Sequence, residues 1–298
     1  MQILITGATG LIGSTLITHL LELGYQITAL VRSPDKARIQ LPPKVQLISS
    51  LTQYNDLNQF DAVINLAGEP IFTHRWTTEQ KQRLIESRVQ LTKQLTSLIN
   101  HSTTPPHTFI SGSATGYYGD KKEYIITEQS EPSAQFTGQL CQKWEAEALK
   151  AKTRVCLLRT GIVLAKTGGA LAKMLPIYRL GLGGRLGNGE QYWSWITLKD
   201  MIAAIVFLLN NVACSGAFNL VTPHPVRNKD FNSMLGQLLK RPYFLAVPTF
   251  ILNLFLGERV QLLLDSQKII PEKLQAEGFH FQYPELKAAL QDILKQKS

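Results

Sequence analysis

Three glycines near the start of the chain have a spacing that suits the binding of a phosphate group. Gly7, Gly10 and Gly13 lie between an apolar run at residues 3–5 and a helical pattern that begins at residue 11. The first glycine permits a tight turn, the second lets the backbone approach a pyrophosphate, and the third lets the helix pack closely on the strand. The helix also directs free N–H groups and the positive end of its dipole toward the same point.

This pattern predicts a dinucleotide site, and a glycine-rich turn without a ligand is the alternative. The residues predicted to bind the phosphates are Gly7, Thr9, Gly10, Leu11, Ile12 and Gly13.

The residues that follow the second apolar run indicate which dinucleotide is bound. In such sites an acidic residue binds the ribose 2′-hydroxyl of NAD, whereas an arginine accommodates the 2′-phosphate of NADP. Here Arg32 and Ser33 follow Val31, and the first acidic residue, Asp35, comes only after Pro34. We therefore predict NADP(H), with Arg32 on the phosphate and Ser33 as an additional donor. A surface arginine without a ligand is the alternative.

Alternating strand and helix patterns must position these residues. Short β-branched runs predict strands at residues 3–5, 26–31, 45–48, 62–66, 108–110 and 155–158. Longer periodic patterns predict helices at residues 11–23, 78–99 and 138–150, with Gly24 ending the first and Thr77 capping the second. This alternation predicts an α/β fold, a Rossmann-type doubly wound parallel sheet with a smaller, mostly helical C-terminal region.

The pattern loosens after Arg159, where many glycines indicate the loops of a lid or substrate-binding segment. A strand at residues 192–196, a helix at 198–209 and a strand at 217–220 are predicted before a helical tail. Trp193 and Trp195 either stack on a substrate or belong to the core. Asp200 is expected in the first turn of its helix.

We predict two domains. Residues 1–215 form the NAD(P)-binding Rossmann domain, and residues 216–298 form a smaller C-terminal domain that contributes to the substrate cleft.

Composition limits the classes of protein to consider. The net charge is +9, but lysine and arginine are spread along the 298 residues, so we expect a solvated basic surface, with an anionic partner as the alternative. Cys141, Cys156 and Cys214 are odd in number and far apart, which indicates a reducing compartment and excludes a disulfide framework.

We expect a cytoplasmic protein with no signal peptide, no metal, no nucleic-acid partner and no membrane partner. The expected partner is an unidentified small-molecule substrate, and a homodimer is left open.

Together these motifs resemble the extended short-chain dehydrogenase/reductase family, which includes nucleotide-sugar epimerases and dehydratases. The resemblance rests on the glycine turn, on Asn-Leu-Ala-Gly at residues 65–68 and on Ser-Gly-Ser-Ala-Thr-Gly-Tyr-Tyr-Gly at residues 111–119. The chain is most similar to the branch called epimerase family proteins, or 39U. Matching segments extend through residues 186–196 and into a C-terminal domain characteristic of that branch.

The resemblance implies roles for several residues. Leu66, Ala67 and Gly68 would lie along the adenosine and ribose of the cofactor. Arg88 would be a second cofactor contact, and an arginine on the helix surface is the equal alternative. Ser113 matches the family's active-site hydroxyl, which forms a hydrogen bond with the reacting oxygen of the substrate.

The sequence departs from the family at one pair of residues. Extended reductases carry a tyrosine and a lysine four residues apart, and the lysine lowers the pKa of the phenol so that it acts as acid or base. Aligned on Glu145, these positions hold Thr137 and Cys141, neither of which can do this chemistry. Tyr117 and Tyr118 are the nearest replacements, with a packing role as the alternative, and we take Tyr117 as the catalytic candidate beside Ser113.

Two functions follow from these observations. The first is an NADP(H)-dependent oxidoreductase or epimerase that acts on a small carbonyl or sugar-like substrate without the usual tyrosine and lysine. The second is a catalytically reduced NADPH-binding sensor or scaffold, in which apolar residues of the tail form an interface. Glu69 and Arg75 are further polar candidates near the strand ends.

Overall fold

The computed structural model describes residues 1–296 and is built on a seven-stranded parallel sheet. The strands are β1 (Gln2–Thr6), β2 (Gln26–Leu30), β3 (Gln46–Ile48), β4 (Ala62–Asn65), β5 (Thr108–Ala114), β6 (Ile125–Ile126), β7 (Arg154–Thr160), β8 (Ile162–Leu164), β9 (Gly184–Leu186), β10 (Tyr192–Trp193), β11 (Trp195–Thr197), β12 (Gly216–Leu220), β13 (Val226–Arg227), β14 (Leu245–Val247) and β15 (Lys268–Ile269). The helices are α1 (Leu11–Glu22), α2 (Pro34–Gln40), α3 (Thr78–His101), α4 (Phe136–Ala148), α5 (Gly169–Arg179), α6 (Leu198–Asn210), α7 (Asn228–Leu239), α8 (Thr249–Leu256), α9 (Gln261–Leu264), α10 (Glu272–Ala276) and α11 (Leu286–Lys295).

The order of the strands in the sheet creates a switch point at its centre. The order is β3-β2-β1-β4-β5-β7-β12, so the chain builds outward in one direction from β1 and in the other from β4. Thr6 pairs with Leu30 on one side and with Asn65 on the other, which aligns the carboxyl ends of β1, β2 and β4. Ligands of such sheets bind at this point. The predicted doubly wound fold is confirmed.

Both faces of the sheet are covered, as an all-parallel sheet requires. Ile3 and Ile5 point to one face and pack in a core with α1 and α6, whereas Leu4 points to the other face and packs with α3. All three side chains are fully buried. The short apolar run of β1 therefore stabilises both layers at once and fixes the position of the glycine turn that follows it.

Helix ends and strand ends follow the sequence in most places. Gly24 has a φ of 80° just after α1, and the Thr77 hydroxyl accepts a hydrogen bond from the Gln80 N–H at the start of α3. The predicted end of β5 at residue 110 is wrong, because the strand continues to Ala114. Pairing with β7, up to Ala114 opposite Thr160, satisfies the backbone of this serine- and glycine-rich run.

The sequence also missed α2 and merged two strands. The predicted strand at residues 192–196 is divided into β10, which pairs with β13, and β11, which pairs with β8. Ser194 lies between them, and its hydroxyl donates to the backbone oxygen of Gln267 at 2.6 Å. A hydrogen bond to a distant loop, which no local pattern encodes, thus interrupts the strand.

A second core lies outside the sheet. It combines Leu171 and Trp195 from the glycine-rich segment with Phe231 and Leu290 from the C-terminal helices. The boundary predicted at residue 215 falls just before β12, which is the last strand of the central sheet. None of the helices in residues 1–296 has the length and apolar character needed to cross a bilayer.

Candidate functional site

The glycine turn connects β1 to α1, and two of its glycines are required by the protein's own packing. Gly7 has a φ of 71°, and a Cβ there would lie 2.5 Å from the carbonyl carbon of Leu66. A Cβ on Gly13 would collide with the backbone oxygen of Gly7. Gly10 differs, because its Cβ would meet only that same oxygen, at 3.2 Å, on an exposed part of the turn. Internal packing therefore requires a glycine strictly at residues 7 and 13, and less strictly at residue 10.

The amino end of α1 is open toward solvent. The first helical hydrogen bond runs from the Ser14 N–H to the Gly10 oxygen at 2.9 Å. The N–H groups of Leu11, Ile12 and Gly13 therefore have no acceptor within the helix. The helix has no side-chain cap and no acidic residue in its first turn. Thr9 is exposed beside it. With the exposed glycine at residue 10, this arrangement fits a phosphate group.

Arg32 and Ser33 lie where β2 meets α2, at the same edge of the sheet. The Arg32 side chain is exposed and forms no ion pair among residues 1–296. Ser33 is the N-cap residue of α2, but its hydroxyl makes no capping hydrogen bond. Both side chains therefore keep their donors for a ligand.

The loop after β4 carries Leu66, Ala67 and Gly68, and Arg88 of α3 holds it in place. One guanidinium nitrogen of Arg88 donates to the Glu69 oxygen at 2.9 Å, and a Cβ on Gly68 would lie 2.9 Å from the Arg88 Cζ. Burial lowers the pKa of Arg88. Of the two alternatives for Arg88, a free arginine on the helix surface does not describe this packing, whereas a cofactor contact stays a prediction.

A buried polar network ties this loop to the sheet and helices beneath it. The Thr6 hydroxyl donates to Asn65 at 2.7 Å and accepts from the Ala67 N–H at 3.2 Å. The Asn65 amide and the Trp144 indole both donate to the Thr92 hydroxyl, at 2.9 and 3.0 Å. Paired buried polar groups of this kind fix one arrangement of the loops. The sequence singled out neither Thr6 nor Thr92 for this role.

Ser113 lies near the end of β5 and is bound to a buried ion pair. Its hydroxyl donates to Glu145 Oε1 at 2.6 Å. Arg159 of β7 donates to both oxygens of Glu145, at 2.9 and 2.8 Å, and the two charged side chains are only 6% and 7% exposed. Burial disfavours the guanidinium charge, but hydrogen bonds and the Glu145 carboxylate outweigh it and raise the pKa of Arg159.

From the sequence, Glu145 was only an alignment position, and Arg159 was not predicted to be a functional residue. The available signal was a charged residue that directly follows the apolar strand residues 155–158. A buried charge needs a partner, so this position predicts a paired acid elsewhere in the fold.

The two neighbouring tyrosines have different environments. Tyr118 is fully buried, donates to Asn219 Oδ1 at 2.6 Å and accepts from Arg159 at 3.0 Å. Tyr117 is half-buried, and its ring lies 3.6 Å from the Arg159 Cζ. Burial raises the pKa of both phenols. Tyr118 thus has the packing role, and the Tyr117 ring lies beside the ion pair that holds Ser113.

Thr137 and Cys141 lie beneath the loop that carries Tyr117. The Cys141 thiol donates to the Ala114 oxygen at 3.6 Å, and burial raises its pKa to about 11. A Cβ on Gly116 would lie 3.0 Å from the Thr137 Cβ. Both residues pack the loop from below, and Lys143 of the same helix is exposed. No tyrosine–lysine pair forms here.

The glycine-rich segment touches the first residue of α1, and the two tryptophans that follow the segment belong to the core. A Cβ on Gly168 would lie 3.1 Å from the Leu11 side chain, so the start of α5 sits directly over the start of α1. Trp193 and Trp195 are buried, as the core alternative requires. Asp200 accepts hydrogen bonds from the backbone of the C-terminal segment, 2.7 Å from the Gln282 N–H.

Comparisons with known proteins extend over the whole chain. A crystal structure of human epimerase family protein SDR39U1 (isoform 2) with NADPH matches with a TM-score of 0.91 and 31% identity, and covers 100% of both chains. The chloroplastic SDR39U1 homologue of Arabidopsis thaliana is 38% identical over 99% of this chain and 87% of its own length. An epimerase family protein of Staphylococcus aureus is 38% identical over 99% of both chains.

Two family models match separate parts of the chain. Residues 247–293 match a domain of unknown function, DUF1731, which lies within the C-terminal region. Residues 3–220, from β1 to the end of β12, match the NAD dependent epimerase/dehydratase family. With its sheet, its glycine turn and these relatives all in agreement, the chain belongs to the NAD dependent epimerase/dehydratase family.

Proposed function

We propose that this protein binds NADP(H) at the switch point and is an oxidoreductase or epimerase that acts on a small carbonyl or sugar-like substrate. The observation that carries the proposal is the uncapped, exposed end of α1 at Gly10, where the protein's own packing restricts a side chain less than at Gly7 or Gly13. A pyrophosphate that approaches the backbone at this end also needs a glycine there. When bound, the cofactor supplies or accepts a hydride.

Arg32 supports NADP(H) over NAD(H). It is an exposed cation without an ion pair in residues 1–296. The first acidic residue after β2 is Asp35, which already lies in α2. A 2′-phosphate gives this cation an anionic partner, whereas the ribose hydroxyl of NAD would face no carboxylate. The human relative crystallised with NADPH is consistent with this choice.

Ser113 and Tyr117 are the proposed catalytic residues. Because a carboxylate paired with an arginine only accepts hydrogen bonds, the Ser113 proton is directed to Glu145. The lone pairs of Ser113 Oγ then remain to accept a hydrogen bond from a substrate hydroxyl. Tyr117 is the proposed proton donor when a carbonyl oxygen is reduced, and it regains its proton from water. In the oxidation of a hydroxyl the same proton transfers run in reverse.

The test is a parallel fluorescence titration of NADPH and NADH against the wild-type protein and Arg32→Ala. Loss of one charge-assisted contact should weaken NADPH binding by about tenfold to a hundredfold and leave NADH binding unchanged. Lys44→Ala is the control, because Lys44 is exposed near Gln2 and Gln26, at the amino ends of the strands. Equal loss for both nucleotides, or no binding of either, would refute the proposed site.

A catalytically reduced sensor or scaffold is the second candidate, and Thr137 and Cys141 favour it, because they replace the usual acid–base pair. The discriminating measurement is turnover with NADPH or NADP⁺ over a panel of carbonyl compounds and nucleotide sugars, using wild type and Ser113→Ala. Turnover that the variant abolishes supports the enzyme. Tight NADPH binding without turnover supports the sensor.

A further inference from the structure

More than half of the exposed large apolar side chains in residues 1–296 come from two segments beside the C-terminal core. Phe244 is 81% exposed, Leu180 75% and Phe250 70%. The full set, which we call the apolar face, is Ile177, Leu180, Leu182, Phe244, Leu245, Phe250, Leu254 and Phe255. A set of this size on a folded chain indicates an interaction surface.

The two segments form one surface because of a single strand pair. β9 and β14 run parallel, with Leu245 opposite Gly184. Just before them, a Cβ on Gly181 would lie 3.3 Å from the Pro242 side chain, which brings the chain at residues 180–182 close to the chain at residues 241–243. Helix α8 starts directly after β14 and carries Phe250, Leu254 and Phe255 on exposed positions. It contains no charged residue.

The charges near the apolar face are mostly positive, although Glu190, Asp230 and Glu258 directly border the two segments that carry it. Residues 166–189 and 231–257, which carry all of the apolar face, contain six of the 31 lysine and arginine residues and none of the 22 acidic residues. Four cations close to the face in sequence are exposed and form no ion pair among residues 1–296: Arg179, Arg185, Lys240 and Arg241. The apolar face therefore has exposed, unpaired cations at its border.

We propose that the apolar face docks on the surface of a phospholipid bilayer that contains anionic lipids. Exposed phenylalanine and leucine side chains enter the boundary between headgroups and acyl chains, while flanking cations meet the negative headgroups. A second copy of the chain fits less well, because pairing the two faces would bring the same cations together. The contact is peripheral, and it departs from the expectation of no membrane partner. It is independent of the proposed function.

The experiment is flotation of the full chain with vesicles of phosphatidylcholine alone or mixed with phosphatidylglycerol. The wild-type protein should float with the anionic mixture and stay behind with phosphatidylcholine alone. The triple change Phe250→Ser, Leu254→Ser and Phe255→Ser should lower the partition coefficient by about tenfold or more, because it removes apolar groups from the buried layer. Arg179→Gln with Arg185→Gln should lower it by roughly tenfold through lost electrostatic attraction.

Matched controls change exposed residues elsewhere: Ile39→Ser with Val212→Ser, and Lys44→Gln with Lys152→Gln. They should leave flotation unchanged, and thermal unfolding checks that every variant is folded. Wild-type protein that does not float with the anionic vesicles, or control variants that lose as much binding as the face variants, would overturn the proposal. The proposal would also be overturned, in favour of a second copy, if the wild-type protein does not bind vesicles but is a dimer in light scattering and the triple variant is a monomer.

Discussion

The end of β2 and the end of β7 each carry an arginine, and the two arginines are in opposite states. Arg32 is exposed and has no ion-pair partner in residues 1–296. Arg159 is buried and bound to Glu145 through two hydrogen bonds, with Tyr117 against its face and Tyr118 at its tip. Both lie at the carboxyl edge of the same sheet, where ligands bind in this fold.

This difference separates the cofactor half of the site from the half that carries Ser113. In the first half, N–H groups and a cation are left for a ligand. In the second, charges and hydroxyls are bonded to one another, and the tyrosine–lysine pair of related reductases is missing. The chain therefore has open donors at the start of α1 and at Arg32, whereas Thr137 and Cys141 stand at the positions of the usual acid–base pair.

The largest expected effect would come from breaking the ion pair. Glu145→Gln leaves the Arg159 charge buried without a counter-charge, which should lower the free energy of unfolding by about 3–5 kcal/mol. Glu258→Gln is the control, since Glu258 is 56% exposed in its ion pair with Lys81 and the change should cost about 1 kcal/mol or less. Urea denaturation measures both. Similar losses in the two variants would show that the buried pair is not the structural centre of this half.

In the cofactor half, two glycines of the turn should differ in their effects on stability and on NADPH binding. Gly13→Ala forces a Cβ against the Gly7 oxygen and should destabilise the fold by about 1–3 kcal/mol. Gly10→Ala should destabilise the fold less than Gly13→Ala, because its Cβ would press only on the Gly7 oxygen, at 3.2 Å, but it should strongly weaken NADPH binding. Denaturation and fluorescence titration separate the two effects. Wild-type affinity of Gly10→Ala for NADPH would show that the pyrophosphate does not approach the backbone closely at residue 10.

The smallest expected effect concerns the two tyrosines. Tyr118→Phe removes a buried hydroxyl and leaves Asn219 Oδ1 without its donor, so a loss of about 1–2 kcal/mol is expected. Tyr117→Phe keeps the ring against Arg159 and should leave stability within about 0.5 kcal/mol of wild type. Thermal or urea unfolding tests the pair. An equal loss at Tyr117 would mean that its hydroxyl is also a packing group and weaken its role as a proton donor.

Local patterns predicted most of the central sheet. Apolar runs located β1, β2, β4 and β7, and capping residues located the ends of α1 and α3. They failed where a distant partner decides the structure. β5 extends to Ala114 because β7 pairs with it. The strand predicted at residues 192–196 is divided at Ser194, whose hydroxyl donates a hydrogen bond to the backbone oxygen of Gln267. Such partners are not visible in a local window.

By itself, the sequence determined the parallel fold, the glycine turn and the position of Arg32, because each depends on residues close together along the chain. Only the tertiary structure decided that Ser113 is bound to Glu145 and Arg159, that Tyr118 is a packing residue, and that two apolar segments join into one face. These outcomes depend on side chains far apart in sequence, whose burial and pairing are set by the packing of the whole chain.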